Sequence, residues 1–489
     1  MRSVVMAFLV MAALTFALPA AAIDPEELRP FPATASGDIP FEIDAARFCS
    51  ERGGYLAEYY FRVPNRYLRF LPASGDTAGP LTATLECEIT LYSEGGDELE
   101  TRRETVVVKS SSSEAAAAER PFQLVTLSYP LNPVGWGVRA RVRDLGARKR
   151  GILYVFSGRR RDGEAQAHFS AEPSHTRAVC LSDIQFAWAI EARRDSSGRA
   201  VGRLHIVPNP GRAYGLRNPT LFFYFEVRSP ETSGMFRADY EIHREGAAVF
   251  ADSDTITGSG GWSMSERVDV STLESGTYEL RVRISQDGGT AAETAGTFNI
   301  LWTPIAWERS EDEVLDEAEL YLTEAEFADL EEMEAGDRAR FLEAFWRDQD
   351  PTPGTARNET YEQFLARVDY AERQFSVLHS GRLSDRGRIY VRFGEADDVR
   401  REVIPVEADR LESALGDDPF LDSELKAAIS RDRSRPRAYE IWSYYGRGDP
   451  LFPGRDLFPG GEQIRFVFVD DQGFGEFYLR YSTQHGAVR

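Results

Sequence analysis

Apolar and polar residues alternate in short runs along most of the first 300 residues, and the runs are bounded by Gly, Pro, Asn, Asp or Ser. This period of two predicts β-strands with one buried face and one face in water. The clearest run spans 273–284, and its apolar positions are Tyr278, Leu280, Val282 and Ile284. Such strands, following one another without helices, predict two antiparallel β-sandwich modules, the second of them immunoglobulin-like.

Near residue 305 the spacing of apolar residues changes from every second position to a repeat of 3.6 residues, which predicts helices. Thr323 and Glu326 form a capping-box sequence at the start of an amphipathic helix, and Gly336 is expected to end that helix. A second helix should end before Asp350, which begins a Pro-rich segment, because proline cannot continue a helix. A third should begin after Asn358, a favourable N-cap residue.

Strand patterns return after these helices, in the segments 388–393, 439–445, 464–469 and 476–481. The last two flank residues 470–475, Asp-Asp-Gln-Gly-Phe-Gly, which predict a hairpin turn. Helices followed by a mostly antiparallel sheet are typical of an α+β domain.

The chain is therefore expected to be multidomain, with two antiparallel β-sandwich (Ig-like) modules followed by an α+β domain. The predicted segments are a signal peptide (1–22), an N-terminal β-sandwich (23–178), an Ig/fibronectin-like β-sandwich (179–304), a helical segment (305–380) and a β-rich remainder (381–489).

The first 22 residues have the pattern of a cleavable signal peptide. Arg2 supplies a positive charge, 4–18 is an apolar run, and Ala20 and Ala22 provide the small residues that signal peptidase recognises. The protein is therefore expected to be periplasmic or extracellular and to have no integral membrane segment after cleavage. An uncleaved N-terminal anchor is the alternative.

The net charge of the chain argues against two classes of binding partner. The 489 residues carry a net charge of −22, which disfavours nucleic acid and anionic membrane surfaces. Residues 308–337 alone hold 14 acidic side chains against one Arg. This acidic segment is interpreted as a solvated helical surface, with a docking site for a basic partner as the alternative.

Export makes the three cysteines relevant, because an oxidising compartment permits disulfide bonds. Cys49 and Cys87 lie in strand-like runs of the N-terminal sandwich and could pair with each other. Cys180 would then be free or bonded to another chain. Three buried thiols are an equally good interpretation.

Several motifs of the C-terminal part, in the same order, resemble those of the bacterial GWxTD domain family. The motifs are Phe-Trp-Arg-Asp-Gln-Asp-Pro (345–351), Gly-Arg-Leu-Ser-Asp (381–385), Tyr-Glu-Ile-Trp (439–442), Phe-Val-Phe-Val-Asp (466–470) and Gly-Phe-Gly (473–475). The resemblance implies an exported protein of a family without an established biochemical activity. The naming motif is degenerate, since Arg382 replaces its Trp and Ser384 replaces its Thr.

A group of polar and aromatic residues in these motifs forms the candidate site. Its members are Arg347, Asp350, Glu359, Asp385, Arg388, Glu440 and Trp442. They are interpreted either as a structural ionic cluster at the junction of helices and sheet or as a polar binding cleft. Asp385 lies between a predicted turn and a predicted strand, where a carboxylate accepts backbone amides or pairs with Arg.

No catalytic signature stands out in the sequence, and no catalytic residue, metal site or cofactor is expected. The six His are scattered without metal-ligand spacing, and nucleophile-elbow and phosphate-loop motifs are missing from the sequence. The favoured function is a non-catalytic interaction or scaffold module that binds an unknown envelope or secreted protein. The alternative is an enzyme or small-ligand-binding protein with a cleft around Asp385 and Trp442.

Overall fold

The computed structural model describes most of the chain after residue 27. The described residues are 28–50, 54–72, 81–110, 122–131, 135–147, 161–169, 179–191, 204–286, 289–303, 307, 309, 311–355, 357–377, 379–406, 437–445, 449–452 and 464–482. The predicted signal peptide lies outside them. The chain divides into two compact units: unit 1 (1–272 and 278–298) and unit 2 (273–277 and 299–489).

The first β module of unit 1 has two sheets that enclose one apolar core. Its strands are β1 (Arg29–Pro30), β2 (Ala33–Thr34), β3 (Ser36–Gly37), β4 (Glu42–Cys49), β5 (Tyr55–Pro64), β6 (Leu71–Pro72), β7 (Leu81–Ser93), β8 (Glu98–Ser110), β9 (Phe122–Leu131), β10 (Gly135–Asp144) and β11 (Asp162–His168). One sheet has the order β1-β11-β10-β7-β6, with β3 beside β11 and β8 beside β7, and the other has the order β2-β4-β5-β9.

The pairing in this module is antiparallel apart from the short parallel contact of β1 with β11. On β7 every second side chain, from Ala83 to Leu91, is buried in the core between the sheets. The period-two pattern therefore places the core correctly here, because alternate side chains of a strand point to opposite faces of its sheet.

The second β module is an eight-stranded sheet with the order β14-β13-β16-β18-β19-β15, to which β12 and β17 add by pairing with β16. Its strands are β12 (Cys180–Leu181), β13 (Gln185–Glu191), β14 (His205–Pro208), β15 (Ala213–Gly215), β16 (Thr220–Arg244), β17 (Ala247–Asp269), β18 (Gly276–Gln286) and β19 (Gly289–Leu301). The boundary between the two units falls within β18 and β19.

The clearest strand predicted from the sequence is confirmed as β18. Its side chains alternate between buried and half-buried, and the buried ones are those of Tyr278, Leu280, Val282 and Ile284. Beside it, β16 and β17 form a long hairpin that turns at Glu245 and Gly246, both with positive φ.

Neither interpretation of the cysteines is confirmed: Cys49 and Cys87 are not bonded to each other, and the three thiols are not all free. Cys49, at the end of β4, is bonded to Cys180 on β12, with Cα atoms 6.3 Å apart. Cys87 is a buried free thiol in the core of the first module, where burial raises its pKa to about 12. The pairing depends on how the two β modules meet, which strand patterns within one module do not reveal.

Ionic contacts between the two β modules accompany this disulfide. Arg47 of β4 donates from Nε and Nη2 to the carboxylate of Asp183, at 2.8 and 3.2 Å. Asp44 of β4 accepts from Nε and Nη2 of Arg212, at 2.9 and 2.7 Å, and both side chains are buried. Burial raises the pKa of Asp44, and the Arg212 guanidinium opposes that shift. Bidentate pairing of this kind stabilises charges that have been withdrawn from water.

Five helices of unit 2 lie in the described residues. They are α1 (Glu311–Ala318), α2 (Glu324–Glu332), α3 (Ala335–Asp348), α4 (Glu359–Phe375) and α5 (Asp385–Phe393). The Thr323–Glu326 capping box begins α2, and the side chain of Asn358 caps α4, as predicted. The prediction that Gly336 ends a helix is wrong, because Gly336 lies in the first turn of α3. A Cβ there would lie 2.2 Å from the carbonyl oxygen of Gly276, so close packing explains the glycine.

The strand expected over 388–393 is also wrong, since these residues belong to α5. Ser384 caps the helix by accepting the amide of Gly387 at 3.1 Å, and the core packs around Ile389 and Phe393. The alternation of apolar residues in this short segment resembles a strand, but the cap and the packing decide its conformation.

An antiparallel sheet of four strands completes unit 2, in the order β20-β21-β22-β23. The strands are β20 (Asp398–Val406), β21 (Arg437–Tyr444), β22 (Ile464–Asp470) and β23 (Tyr478–Ser482). Rings of α4 and α5 pack against the sheet: Phe375 lies 5.7 Å from Trp442, and Phe393 lies 5.3 Å from Phe466, between ring centroids. Helices on one face of an antiparallel sheet give the α+β arrangement that the sequence predicts.

Replacing Cys180 with Ser should lower the free energy of unfolding of unit 1 by about 2–5 kcal/mol, because the disulfide closes a loop between residues 131 positions apart. Urea denaturation of the full chain with and without reductant measures the effect. The wild type should lose stability in reductant, and the Cys180→Ser variant should not change further. Cys87→Ala is the control and should stay sensitive to reductant. A wild-type midpoint that reductant does not move would contradict the prediction.

Candidate functional site

A buried ion pair lies where α5 meets the sheet of unit 2. Glu440 of β21 is 2% exposed and Arg386 of α5 is 8% exposed, and Nη1 of Arg386 donates to Oε1 of Glu440 at 3.3 Å. Arg401 of β20 approaches the same oxygen at 2.8 Å, and the indole N–H of Trp442 donates to Oε2 at 3.1 Å. Both carboxylate oxygens of Glu440 are therefore occupied by groups of this chain.

The guanidinium of Arg386 is held between aromatic rings as well as by its carboxylate. Its central carbon lies 5.1 Å from the ring centroid of Phe375 and 4.4 Å from that of Phe477, within the range of cation–π attraction. Burial lowers the pKa of Arg386, and the charge of Glu440 opposes that shift. The pair is thus a charged contact inside an aromatic core.

Asp385 and Arg388 lie on α5 but contact other partners. Oδ2 of Asp385 accepts the backbone amide of Leu479 at 2.6 Å, which joins the start of α5 to β23. Arg388 donates from Nη1 to Oε1 of Glu319 at 2.8 Å and from Nε to the carbonyl oxygen of Leu383 at 3.1 Å. Both side chains therefore serve to position α5.

The remaining predicted residues lie around the segment between α3 and α4. Asp350 accepts the amide of Thr352 at 2.8 Å, and Glu359 accepts the Thr352 hydroxyl at 2.7 Å. This hydrogen bond lowers the pKa of the exposed Glu359 carboxyl. Arg347 is exposed at the end of α3. Among the seven predicted residues the one hydrogen bond between side chains joins Trp442 to Glu440.

The Gly381–Asp385 motif builds the tight connection between α4 and α5. The Ser384 hydroxyl donates to the carbonyl oxygen of Gly381 at 2.7 Å while its oxygen caps α5. A Cβ on Gly381 would lie 2.4 Å from the carbonyl oxygen of Ala371, and one on Gly387 would lie 2.0 Å from that of Gly381. Ser and Thr are both good N-cap residues, so Ser384 can cap the helix at the position where the family motif has Thr.

Glu372 of α4 completes this connection. Its carboxylate accepts the Ser380 hydroxyl at 2.7 Å and the backbone amide of Arg382 at 3.1 Å, and it also accepts the Ser376 hydroxyl at 3.0 Å. Burial raises the pKa of Glu372, but these hydrogen bonds outweigh it and hold the pKa below its usual value. The hydrogen bond at residue 382 is made by the backbone amide, which any residue other than proline can supply.

The hairpin turn between β22 and β23 is organised by Asp470. Its carboxylate accepts the amides of Gln472, Gly473 and Gly475 at 3.2, 2.7 and 2.8 Å, and both glycines have positive φ, near +80°. Phe474 at the tip is 65% exposed. These hydrogen bonds fix the turn around an aromatic side chain that faces solvent.

Three contributors to this site were missed from the sequence. Arg386 is hidden because the sequence pattern predicts a strand over 388–393, which masks the helical spacing of Arg386, Ile389 and Phe393. Arg401 lies on β20, which has no counterpart among the predicted strands. Glu372 was missed because its hydrogen-bond partners lie beyond the end of its own helix. Within the residues that the structure describes, no three His, Cys, Asp or Glu side chains are grouped so that they could hold a metal ion.

Comparison with known proteins identifies one domain. The family model of the GWxTD domain matches residues 307–404, which include all five helices and most of β20. The predicted motifs at 439–442 and 466–475 lie outside this match and stay a resemblance. No curated protein matches the chain.

Among solved structures, the crystal structure of red sea bream transglutaminase is similar, with 10% sequence identity and a TM-score of 0.17. The match covers 55% of this chain and 32% of that one. A similarity this low supports no conclusion about fold or activity, so the immunoglobulin-like topology of the β modules stays a prediction.

Replacing Glu440 with Gln should lower the free energy of unfolding of unit 2 by about 3–5 kcal/mol, because it leaves the Arg386 charge buried and unpaired. Urea denaturation measures the loss. Glu319→Gln is the matched control: it removes the partly exposed pair with Arg388 and should cost less than about 1 kcal/mol. Equal losses in the two variants would show that the buried pair has no special role.

Replacing Ser384 with Ala should cost about 0.5–2 kcal/mol of stability, because the first turn of α5 loses its cap. Ser384→Thr, which restores the residue of the family motif, should stay close to the wild type in thermal melting. If Thr destabilised the protein as much as Ala does, the capping role would be refuted.

Proposed function

We propose, from the premise that residues 307–404 form a GWxTD domain, that this protein is an exported component of the bacterial cell envelope. In this proposal unit 2 recognises another envelope or secreted protein and catalyses no reaction. The proposal rests on one observation about Glu440. This buried carboxylate has both oxygens engaged, by Arg386, Arg401 and Trp442.

A general acid, base or nucleophile must reach its substrate, and Glu440 is 2% exposed. Asp385 and Arg388, the other polar residues of the predicted cleft, hold α5 against β23 and against Glu319. These contacts support a structural role for the motif residues. In this proposal the motif residues stabilise a surface of unit 2, and the partner binds that surface.

The turn at 470–475 is the best candidate for that surface. Exposed aromatic side chains on pre-ordered backbone are typical energetic centres of protein interfaces, because little conformational entropy is lost when they bind. Phe474 fits this description, since Asp470 fixes the turn and Nη2 of Arg386 lies 3.5 Å from the carbonyl oxygen of Gly475. The buried ion pair thereby supports the turn that displays Phe474.

Two features support export. The first 22 residues have the charge and apolar pattern of a signal peptide. The Cys49–Cys180 disulfide in unit 1 is the kind of bond that persists in an oxidising compartment. None of the described helices has the length and apolar character that crossing a bilayer requires.

Small-ligand binding at the same place is the second candidate function. Nε of Arg386 and Oε2 of Glu476 are buried and have no hydrogen-bond partner among the described residues. Buried polar atoms without partners commonly bind water or a ligand. A small polar molecule that reached both atoms would raise the melting temperature of the wild type but not that of Glu476→Gln.

Photocrosslinking in the native host tests the interaction proposal. A benzoylphenylalanine residue at position 474 should give a covalent adduct of discrete mass, because Phe474 would lie in the interface. The same residue at position 445, where Tyr445 is 51% exposed, is the matched control and should give none. Asp470→Ala should weaken the adduct at position 474, since the turn loses three hydrogen bonds.

Phe474→Ala should leave the melting temperature unchanged, because the side chain is exposed. Without any crosslinker, this variant should co-purify about tenfold less, or lower still, of the partner that the crosslink identifies. The absence of any adduct at position 474, or equal adducts at 474 and 445, would overturn the assignment of this turn as the recognition surface.

A further inference from the structure

Three arginines follow one another at alternate positions of β10, in the larger sheet of the first module: Arg139, Arg141 and Arg143. They lie on the outer face of the sheet, because the residues between them belong to the core. Arg141 forms a salt bridge with Glu164 of β11, and Arg143 forms one with Glu86 of β7 at 2.8 Å. Within the described residues the guanidinium of Arg139 forms no ion pair and no hydrogen bond. One cation of this row is therefore left without a carboxylate.

The register of the sheet explains why Arg139 differs from the other two arginines. The residues opposite it are Thr90 on β7 and Gln166 on β11, and neither carries a charge. The guanidinium instead lies over the ring of Tyr92, with its central carbon 4.9 Å from the ring centroid, within the range of cation–π attraction. Because Arg139 is half-buried, its charge is partly withdrawn from water without an anion beside it.

Tyr92 provides a second polar group without a partner. Its side chain is 1% exposed, and its hydroxyl is buried and has no hydrogen-bond partner within the described residues. Leu28 and the half-buried Trp136 pack with it in a small cluster that is separate from the core between the sheets. A buried hydroxyl that forms no hydrogen bond costs free energy, and such groups commonly bind water or a ligand.

Trp136 supplies an aromatic surface beside these two groups. Its ring stacks on that of His168, with centroids 4.6 Å apart and an angle of 18° between the planes. Gly137 lies between Tyr92 and His168 in the register of the sheet, and a Cβ there would lie 3.1 Å from Cδ1 of Leu28. The packing holds the indole in place while part of it stays exposed. A ligand ring could therefore pack on it without the loss of entropy that ordering a loose side chain entails.

We propose that Arg139, Tyr92 and Trp136 form a binding site for an acidic saccharide, a sugar that carries a carboxylate. The carboxylate would accept hydrogen bonds from the Arg139 guanidinium, whose planar donors match it, and from the Tyr92 hydroxyl. The apolar C–H face of the sugar ring would pack against the indole of Trp136. The amide of Gln166, which is exposed opposite Arg139, would bind sugar hydroxyl groups.

An acidic saccharide fits this face better than an extended peptide does. The backbone of β10 is paired with β7 on one side and with β11 on the other, so no strand edge is open to a peptide here. A sugar ring combines an apolar face with hydroxyl groups, which matches an indole next to uncharged polar side chains. This proposal goes beyond the recognition role proposed for unit 2 and does not depend on it, because the two surfaces share no residue.

Titration calorimetry of the full chain with trigalacturonate tests the proposal. The methyl ester of the same trisaccharide is the matched ligand, with the same rings and no charge, and it should bind at least about tenfold more weakly. Succinate, which has carboxylates but no sugar ring, should also bind at least about tenfold more weakly. No detectable binding of trigalacturonate, or equal affinity for the ester or for succinate, would overturn the assignment of an acidic saccharide.

An arginine variant and its matched control locate the binding. Arg139→Gln should weaken binding of trigalacturonate about tenfold or more, because the carboxylate loses its cation. Arg141→Gln, the same charge change on the same face of β10, should change the affinity by less than about threefold, because its guanidinium is already paired with Glu164. Equal losses in the two variants would contradict the proposal, since the attraction would then be unspecific charge.

Two further variants test the groups around Tyr92. Tyr92→Phe should weaken binding by about three- to tenfold without lowering the melting temperature, because the hydroxyl has no partner to lose in the free protein. Glu98→Gln removes an exposed carboxylate opposite Tyr92 on β8 and should strengthen binding, since that charge repels an anionic ligand. Thermal melting checks that every variant is folded. Unchanged affinity of Tyr92→Phe, or weaker binding by Glu98→Gln, would show that the ligand does not occupy this face.

Discussion

A charged group cannot remain unpaired in an apolar interior, and in unit 2 this constraint brings three elements to one point. The guanidinium of Arg386 leaves water when α5 packs on the sheet, so a carboxylate must accompany it. Glu440 supplies that carboxylate from β21, and Phe477, which precedes β23, covers the cation. The helix, the central strand and the hairpin therefore have to reach their final positions together.

Unit 1 satisfies the same constraint between its two β modules. Asp44 and Arg47 on β4 pair with Arg212 and Asp183, partners that lie 168 and 136 residues further along the chain. The Cys49–Cys180 disulfide joins the same region covalently. Contacts this distant in sequence cost loop-closure entropy to form, and the disulfide removes part of that cost from the unfolded chain. The modules of unit 1 should therefore unfold together.

Local sequence patterns predict the structure correctly where interactions between residues close in sequence determine it. The capping box at Thr323, the cap at Asn358 and the alternation of β18 were all predicted correctly, because each depends on residues only a few positions apart. The errors occurred where distant contacts decide. The strand predicted over 388–393 is wrong because the cap and core packing of α5 outweigh the apolar alternation of this segment. The disulfide partner of Cys49 lies in another module. Of the candidate site, Glu440 and Trp442 were found, whereas Arg386 was hidden by the wrong assignment of α5.

Pairing of buried charge also separates the structural parts of the protein from those available to partners. Glu440 and Asp44 are each paired with an arginine of the same chain, so their negative charges are already neutralised without a ligand. Asp252 and Asp254 of β17 are exposed instead, so water solvates their charges, and they accept the Ser253 amide and the Tyr240 hydroxyl respectively. Buried charges are therefore paired within the chain, and the exposed surface is what remains available to partners.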